Sequence, residues 1–253
     1  WIFYIFGAVG LVWYAFWQWM AHASPEHDPK ISADELELIR REAPNANAAE
    51  QTEHPPWSAL LSSGPVWAII VGHFCNNWGL YILLSWLPTY VNQGLNVDFD
   101  EVGWYSMAPH LTSFLFLNVA GYVADRLLRA GLGTTAVRKL MMTIGFLGLA
   151  TALMVVGYVT SAPAAIAIMS AGTALGAFAT GGFAINHMDI APRHSGLLMG
   201  LSNTAATIPG IVGVYATGLI LDLTDSWTLV FQVAAGIYLL GLAFYLIFAT
   251  GER

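Results

Sequence analysis

A chain of 253 residues with a net charge of −7 has 57% hydrophobic and only 10% charged residues, far below the roughly 25% charge of soluble domains. That balance excludes a water-soluble fold, and a lone cysteine, Cys75, excludes a disulfide scaffold. Apolar stretches of 23 to 27 residues, such as 102–124 and 195–221, contain no charge, and about 20 residues cross a bilayer as a helix. The fold class is therefore all-α and polytopic, an integral multi-pass membrane protein. Net charge says little about partners, because eight of the sixteen acids lie in one loop.

In chain order, the first span covers 1–20. It opens on Trp1 inside an apolar run, with neither a polar flank nor the basic n-region of a signal peptide, so the expectation is a fragment whose upstream part is missing. Residues 21–65 follow, the only long polar segment. There Ser32 precedes Glu35 at capping-box spacing, then come Leu36, Leu38 and Ile39, with Arg40 and Arg41 near the end. This predicts an amphipathic helix of about three turns. Pro44, Asn45, Asn47 and the Pro55–Pro56–Trp57 step are linker chemistry. So long a loop is expected to join two bundles. The further spans are 66–91, 102–124, 137–159, 163–186, 195–221 and 227–249. The fifth is dense in small residues, Gly172, Gly176, Gly181 and Gly182, which permit close helix approach. Pro109 interrupts the third span and Pro209–Gly210 the sixth. Each is the second span of a set of three, a pattern that points to a repeat-built transporter core.

The basic residues fix orientation. Lys30, Arg40, Arg41, Arg126, Arg129, Arg138, Lys139, Arg193 and Arg253 all fall in alternate loops, and the intervening loops contain none. A nine-to-zero split obeys the positive-inside rule and places the long loop and the C-terminal end on the cytoplasmic or equivalent side.

Polar residues recur at helical spacing within the spans: His73, Asn77 and Tyr81 with Asn76 beside them, then Ser106, His110 and Ser113, then Asn203 and Thr207 next to Ser202. Each set occupies one helix face and should avoid lipid, either lining a substrate path or bonding between helices. His73 and His110 read as the imidazoles of the membrane interior, able to carry a proton or to serve as neutral donors. No Lys, Arg, Asp or Glu stands in the middle of any span. A crossing anion would need its positive partners from elsewhere.

The third span ends Gly121-Tyr-Val-Ala-Asp125-Arg126, and Arg138-Lys139 opens the fourth. Gly121 would let the helix approach a neighbour. Asp125 could pair with basic residues across the loop as a gate, or the charges could simply anchor topology. Asp189 and Arg193, four apart around Pro192, could brace the same mouth or form a solvated loop pair. Metal, P-loop, nucleophile-elbow and basic–aromatic nucleic-acid patterns are missing from the sequence, so no enzyme, no cofactor and no nucleic-acid partner are expected. A membrane hydrolase using His187 and Asp189 is a weak rival, and no intramembrane Lys exists for a retinal Schiff base.

The Gly121–Arg126 segment with Gly131 and Arg138–Lys139 resembles a stretched G-x-x-x-D-R-x-G-R-R loop of the major facilitator superfamily. Asn186-His187-Met188-Asp189-Ile190-Ala191-Pro192-Arg193 and Gly200-Leu201-Ser202-Asn203-Thr204 look like its anion–cation symporter branch, which holds sialin, the vesicular glutamate transporters and plant-type phosphate transporters. Phe74-Cys75-Asn76-Asn77-Trp78-Gly79, Ser85 to Tyr90 and Phe248 to Glu252 are most similar to the plant-type phosphate members. The resemblance covers nearly the whole chain. It implies helix six (1–20, the last of an N-terminal bundle), the central cytoplasmic loop (21–65) and the six-helix C-terminal bundle (66–253) of a twelve-helix fold. In such a transporter half the polar stripes give the candidate substrate path: His73, Asn76, Asn77, Tyr81, His110, Ser202, Asn203 and Thr207. The gate would involve Gly121, Asp125, Arg126, Arg138, Asp189 and Arg193. Function would be secondary active transport of an anion, phosphate first and a small organic anion second, coupled to Na⁺ or H⁺. The partners would be that anion, the bilayer and the N-terminal bundle of the same chain, in a plastid or endomembrane organelle. The glutamate branch would carry Arg where Asn76 stands, which argues against a glutamate carrier. A non-transporting receptor or scaffold on the same fold is the remaining alternative.

Overall fold

The computed structural model describes residues 1–42 and 57–252. The linker reading at 43–56 and the charge of Arg253 lie outside the described residues. The chain divides into two units, Trp1–His54 and Pro55–Arg253.

In the first unit, α1 (Ile2–Met20) is an apolar helix with every residue exposed. Trp13 stacks on Trp17 at 5.3 Å, and the Lys30 ammonium sits 5.0 Å over the Trp19 ring. Helix α2 (Ala33–Glu42) forms where the capping spacing predicts it: the Glu35 amide donates to Ser32 Oγ at 3.1 Å. Arg40 reaches Glu26 at 3.5 Å. The Ser24 hydroxyl, the local backbone amide and Arg40 together hold the Glu26 carboxyl below its ordinary value.

In the second unit, α3 (Trp57–Leu61) leads into α4 (Gly64–Thr89), whose Pro88 is followed by a π turn, Tyr90–Gly94. Then come α5 (Phe99–Arg129), α6 (Thr134–Val156) and α7 (Ala162–Gly176). A 3₁₀ turn, Ala177–Gly181, separates α7 from α8 (Phe183–Ile190), and α9 (Ser195–Thr224) and α10 (Trp227–Phe248) complete the bundle. Among the described residues, seven helical segments are long and apolar enough to cross a membrane, matching the seven spans predicted. Two details differ. The fifth span is not one helix but breaks at Gly181–Gly182. The third helix runs on to Arg129, past the predicted end at 124, with the Gly121–Arg126 motif in its last turns as read from the sequence.

The bundle closes through small residues, as membrane packing requires where apolar surfaces gain little by leaving lipid. Helix α4 presses aromatic knobs onto glycines of α9: a methyl group at Gly213 would meet the Trp78 indole at 3.3 Å, one at Gly210 the Tyr81 ring at 3.2 Å, and one at Gly218 Trp86 at 3.3 Å. Trp86 Nε1 also donates to the Val214 carbonyl at 3.2 Å. Between α6 and the broken helix the approach is closer still, and a methyl at Gly145 would overlap the Ala179 backbone nitrogen at 2.6 Å. The core fills with Met142, Phe146, Tyr238 and Tyr245, all buried, with Phe146 edge-on to Tyr238 at 4.9 Å.

The two ends differ in chemistry. At one, Trp86, Tyr90, Trp227 and Phe231 cluster beside the Gln232–Tyr158 hydrogen bond of 2.8 Å. At the other, the Gly251 amide donates to Thr135 Oγ1 at 2.9 Å, and Arg126, Arg129, Arg138 and Lys139 stand at the adjoining ends of α5 and α6. Helices α5 and α9 leave most of their length exposed, whereas α4 and the broken helix are largely buried.

Candidate functional site

Three helices converge on one serine. Ser202 of α9 is fully buried, and its Oγ lies 3.1 Å from His73 Nδ1 of α4 and 2.8 Å from His187 Nε2 of α8. His73 and His187 are buried with it, and the Phe183 ring lies 5.0 Å from His73. His187 is therefore buried in the bundle interior, although it lies one residue beyond the fifth span, 163–186, read from the sequence. The break at Gly181–Gly182 is what brings it in, by re-aiming α8. A turn further along α4, Asn77 is buried and donates to the Ala206 carbonyl of α9 at 3.0 Å, while half-buried Asn76 donates to Asn77 Oδ1 at 3.4 Å. Tyr81 continues this face against Gly210. Beside the cluster, Asn186 is fully buried and donates to the Tyr245 hydroxyl at 3.1 Å.

Other predicted path residues fall elsewhere. His110 is exposed on α5, not buried with His73, Ser202 and His187. The polar contacts at its proline kink come instead from Thr112 and Thr173, whose hydroxyls donate to the Pro109 carbonyl at 2.9 and 2.7 Å. Asn203 and Thr207 are exposed, so they share no face with buried Ser202. Helical geometry explains this, since adjacent positions point about 100° apart. Thr204 and Thr207 turn their hydroxyls back to the Gly200 and Thr204 carbonyls of their own helix, both at 2.8 Å.

The ionic contact at the basic end also differs from expectation. Asp189 pairs not with Arg193 but with Arg138 of α6, through Nε at 2.6 Å and Nη2 at 3.2 Å. Arg138 Nη1 donates to the Gly181 carbonyl at 3.1 Å, so one guanidinium holds both sides of the helix break. An i, i+4 partner would need a continuous helix from Asp189, but Pro192 ends it and leaves Arg193 exposed. Asp125 is exposed too. Its backbone carbonyl accepts from Arg129 at 3.3 Å, and Arg126 donates to its helix neighbour Tyr122 at 3.2 Å. Nothing lies within 4 Å of a methyl group at Gly121, so the expected close approach is not made within these residues. The proposed hydrolase pair is not formed, because Asp189 is engaged by Arg138 and His187 by Ser202 and the Ala184 carbonyl.

The sequence pattern of the Major Facilitator Superfamily matches residues 1–137 and 93–253. The chain belongs to this superfamily. It is 44% identical over 252 residues to a "Probable anion transporter 4, chloroplastic" of Oryza sativa subsp. japonica. It is 43% identical to "Sodium-dependent phosphate transport protein 1, chloroplastic" and 42% to "Ascorbate transporter, chloroplastic", both of Arabidopsis thaliana. Each alignment covers 100% of this chain but only 42%, 48% and 46% of those relatives respectively. The chain thus spans about half the length of the curated relatives it matches. The family is one of transporters, not enzymes, and the seven apolar helices make this a multi-pass membrane protein.

Proposed function

We propose that the protein to which this chain contributes is a secondary active anion transporter, with inorganic phosphate as substrate, working by alternating access with Na⁺ or H⁺ as coupling ion. The observation that carries the reading is the whole-length relation to anion transporters, one of them named for sodium-dependent phosphate transport. The path chemistry fits: half-buried Asn76 beside Asn77 offers neutral amides where the resemblance leads one to expect Arg in the glutamate branch, and the spans contain no mid-depth charge. Phosphate oxygens are well served by amide and hydroxyl donors. The fixed positive partners then belong to the bundle that would face α5 and α9, whose long exposed surfaces are available to it. Residues 1–20 would be the last helix of that bundle and 21–65 the cytoplasmic connection. The plastid names of the relatives make a plastid membrane the first location to examine.

A small organic anion is the second reading, favoured by the relative named for ascorbate. Uptake by the full-length protein in proteoliposomes decides between them, with phosphate, ascorbate, sialate and a dicarboxylate offered under separately imposed Na⁺ and pH gradients. Saturable phosphate uptake, unaffected by excess ascorbate, is the expected result. Transport of an organic anion with no phosphate uptake would overturn the choice of substrate. Binding without translocation of any anion would favour a receptor.

A further inference from the structure

The contacts around His187 satisfy two protonation states with the same atoms. His187 Nδ1 lies 3.0 Å from the Ala184 carbonyl, which can only accept, so Nδ1 carries a hydrogen. In the neutral ring Nε2 is an acceptor, so Ser202 donates to it at 2.8 Å and accepts in turn from His73 Nδ1 at 3.1 Å. In the protonated ring Nε2–H donates to Ser202 Oγ, and the serine hydrogen turns to the Met199 carbonyl, 3.2 Å away. Each state leaves every donor of the chain paired without moving a heavy atom.

We propose that His73, Ser202 and His187 form a proton-binding relay that clasps α4, α8 and α9. The assignment deepens the transporter reading on which it rests by naming a proton site in this half of the protein. A proton arriving at His73 Nε2 forms an N–H bond there. The hydrogen on His73 Nδ1 passes to Ser202 Oγ, and the serine's own hydrogen passes to His187 Nε2. One proton enters, the hydroxyl is restored, and His73 ends as its other neutral tautomer, whose bare Nδ1 accepts the serine hydrogen that otherwise turns to the Met199 carbonyl. The positive charge rests on His187, held by charge-assisted bonds to Ser202 and the Ala184 carbonyl.

The surroundings leave that charge without a free carboxylate among the described residues. On α8, Asp189 is occupied by Arg138 of α6, which is itself cationic, with Lys139 beside it. On α10, Tyr245 accepts from Asn186. On α4, the other titratable groups are Cys75, packed against Gly241, and Tyr81, packed against Gly210. Arg193 and His194 lie in the turn before α9, and Tyr215 and Asp222 lie about 20 and 30 Å along α9 from Ser202 at helical rise. Protonation adds a charge-assisted bond across the α8–α9 contact at Ser202, and parting α8 from α9 removes that partner and leaves only the Ala184 carbonyl of His187's own helix among the described contacts, which favours release.

The test is a pH titration of full-length protein in nanodiscs, with ¹⁵N-labelled histidine read by NMR over a window of about pH 3.5 to 8, wide enough for imidazoles in any protein environment. The wild type should show His73 and His187 responding together, with His187 carrying its neutral-state hydrogen on Nδ1. Ser202→Ala should uncouple the two responses, and His187→Gln should remove about one bound proton per molecule. Should Ser202→Ala not fold, His73→Gln asks the same question, because proton uptake at His187 must then slow or vanish. Responses in Ser202→Ala identical to the wild type, or no titration of either ring, would overturn the relay. A transport arm reads the same variants: uptake that varies about tenfold across this pH range in the wild type should flatten to about twofold or less in Ser202→Ala. An unchanged profile also counts against the relay. The titration needs no substrate, so failure of every anion to be transported would strike the transporter reading alone.

Discussion

The Arg138–Asp189 pair gives the sharpest energetic test. Their side chains are only 7% and 16% exposed and meet through two nitrogens at 2.6 and 3.2 Å. Removing one partner of such a pair leaves an unpaired buried charge, which costs about 3–5 kcal/mol, whereas replacing both with apolar groups of similar volume is close to neutral. Asp189→Leu leaves the more deeply buried guanidinium with the Gly181 carbonyl as its remaining contact, so it should fall near the upper end, at about 4 kcal/mol. Arg138→Met leaves a carboxylate that water reaches more easily, so it should cost less, about 3 kcal/mol. The double variant should return to within about 1 kcal/mol of wild type. The assay is unfolding of the full-length protein in detergent, followed by tryptophan fluorescence for all four corners of the cycle. Additive losses, with a coupling below about 0.5 kcal/mol, would refute the claim that these charges stabilise one another. In transport assays the double variant should fold yet exchange substrate at an altered rate, because the clasp at the basic end is gone.

Three further outcomes follow from particular contacts. Gly145→Ala forces a methyl into the Ala179 backbone, which cannot swing aside, and should cost about 1–3 kcal/mol; the open, helix-interior Gly121→Ala should cause no loss and a gain of up to about 1 kcal/mol in the same unfolding experiment. Asn76→Leu should raise the KM for uptake more than Asn77→Leu, since Asn77 spends its amide on the Ala206 carbonyl; Asn77→Leu should instead lower stability by about 1 kcal/mol. Asp125→Asn should leave the unfolding midpoint unaltered, because its carboxylate is exposed, while slowing turnover if the residue meets the facing bundle; equal losses of affinity and turnover would contradict a gating role.

Much of this architecture is legible from charge and periodicity. Within the second unit, the alternation of basic loops with loops free of Lys and Arg predicts that the Arg138 end of α6 lies on the same side as the Asp189 end of α8, where the two residues pair. The cap at Ser32 is visible because its chemistry is local. Contacts set by tertiary aim are not visible in this way. The spacing of Asp189 and Arg193 suggests a helical pair, but Pro192 ends the helix and a residue 51 positions away takes the carboxylate. His187 looks interfacial until the break at Gly181–Gly182 turns α8 inward, and the four clustered glycines of the fifth span were the only hint of it. Ser202 and Asn203 illustrate the limit most simply: one position decides between the bundle core and its outside.

The self-contained threonines of α9 have a consequence for any surface that must close and reopen. Thr204 and Thr207 each satisfy their hydroxyls within their own helix, so this exposed stripe owes no bond to a neighbour or to solvent. The two hydroxyls can lie dry against an opposing wall or be flooded without being stranded in either condition, unlike the exposed amide of Asn203 beside them. Such indifference to wetting lets a seam part and reseal at little energetic cost, while the obligate bonds that fix the helices stay buried behind it.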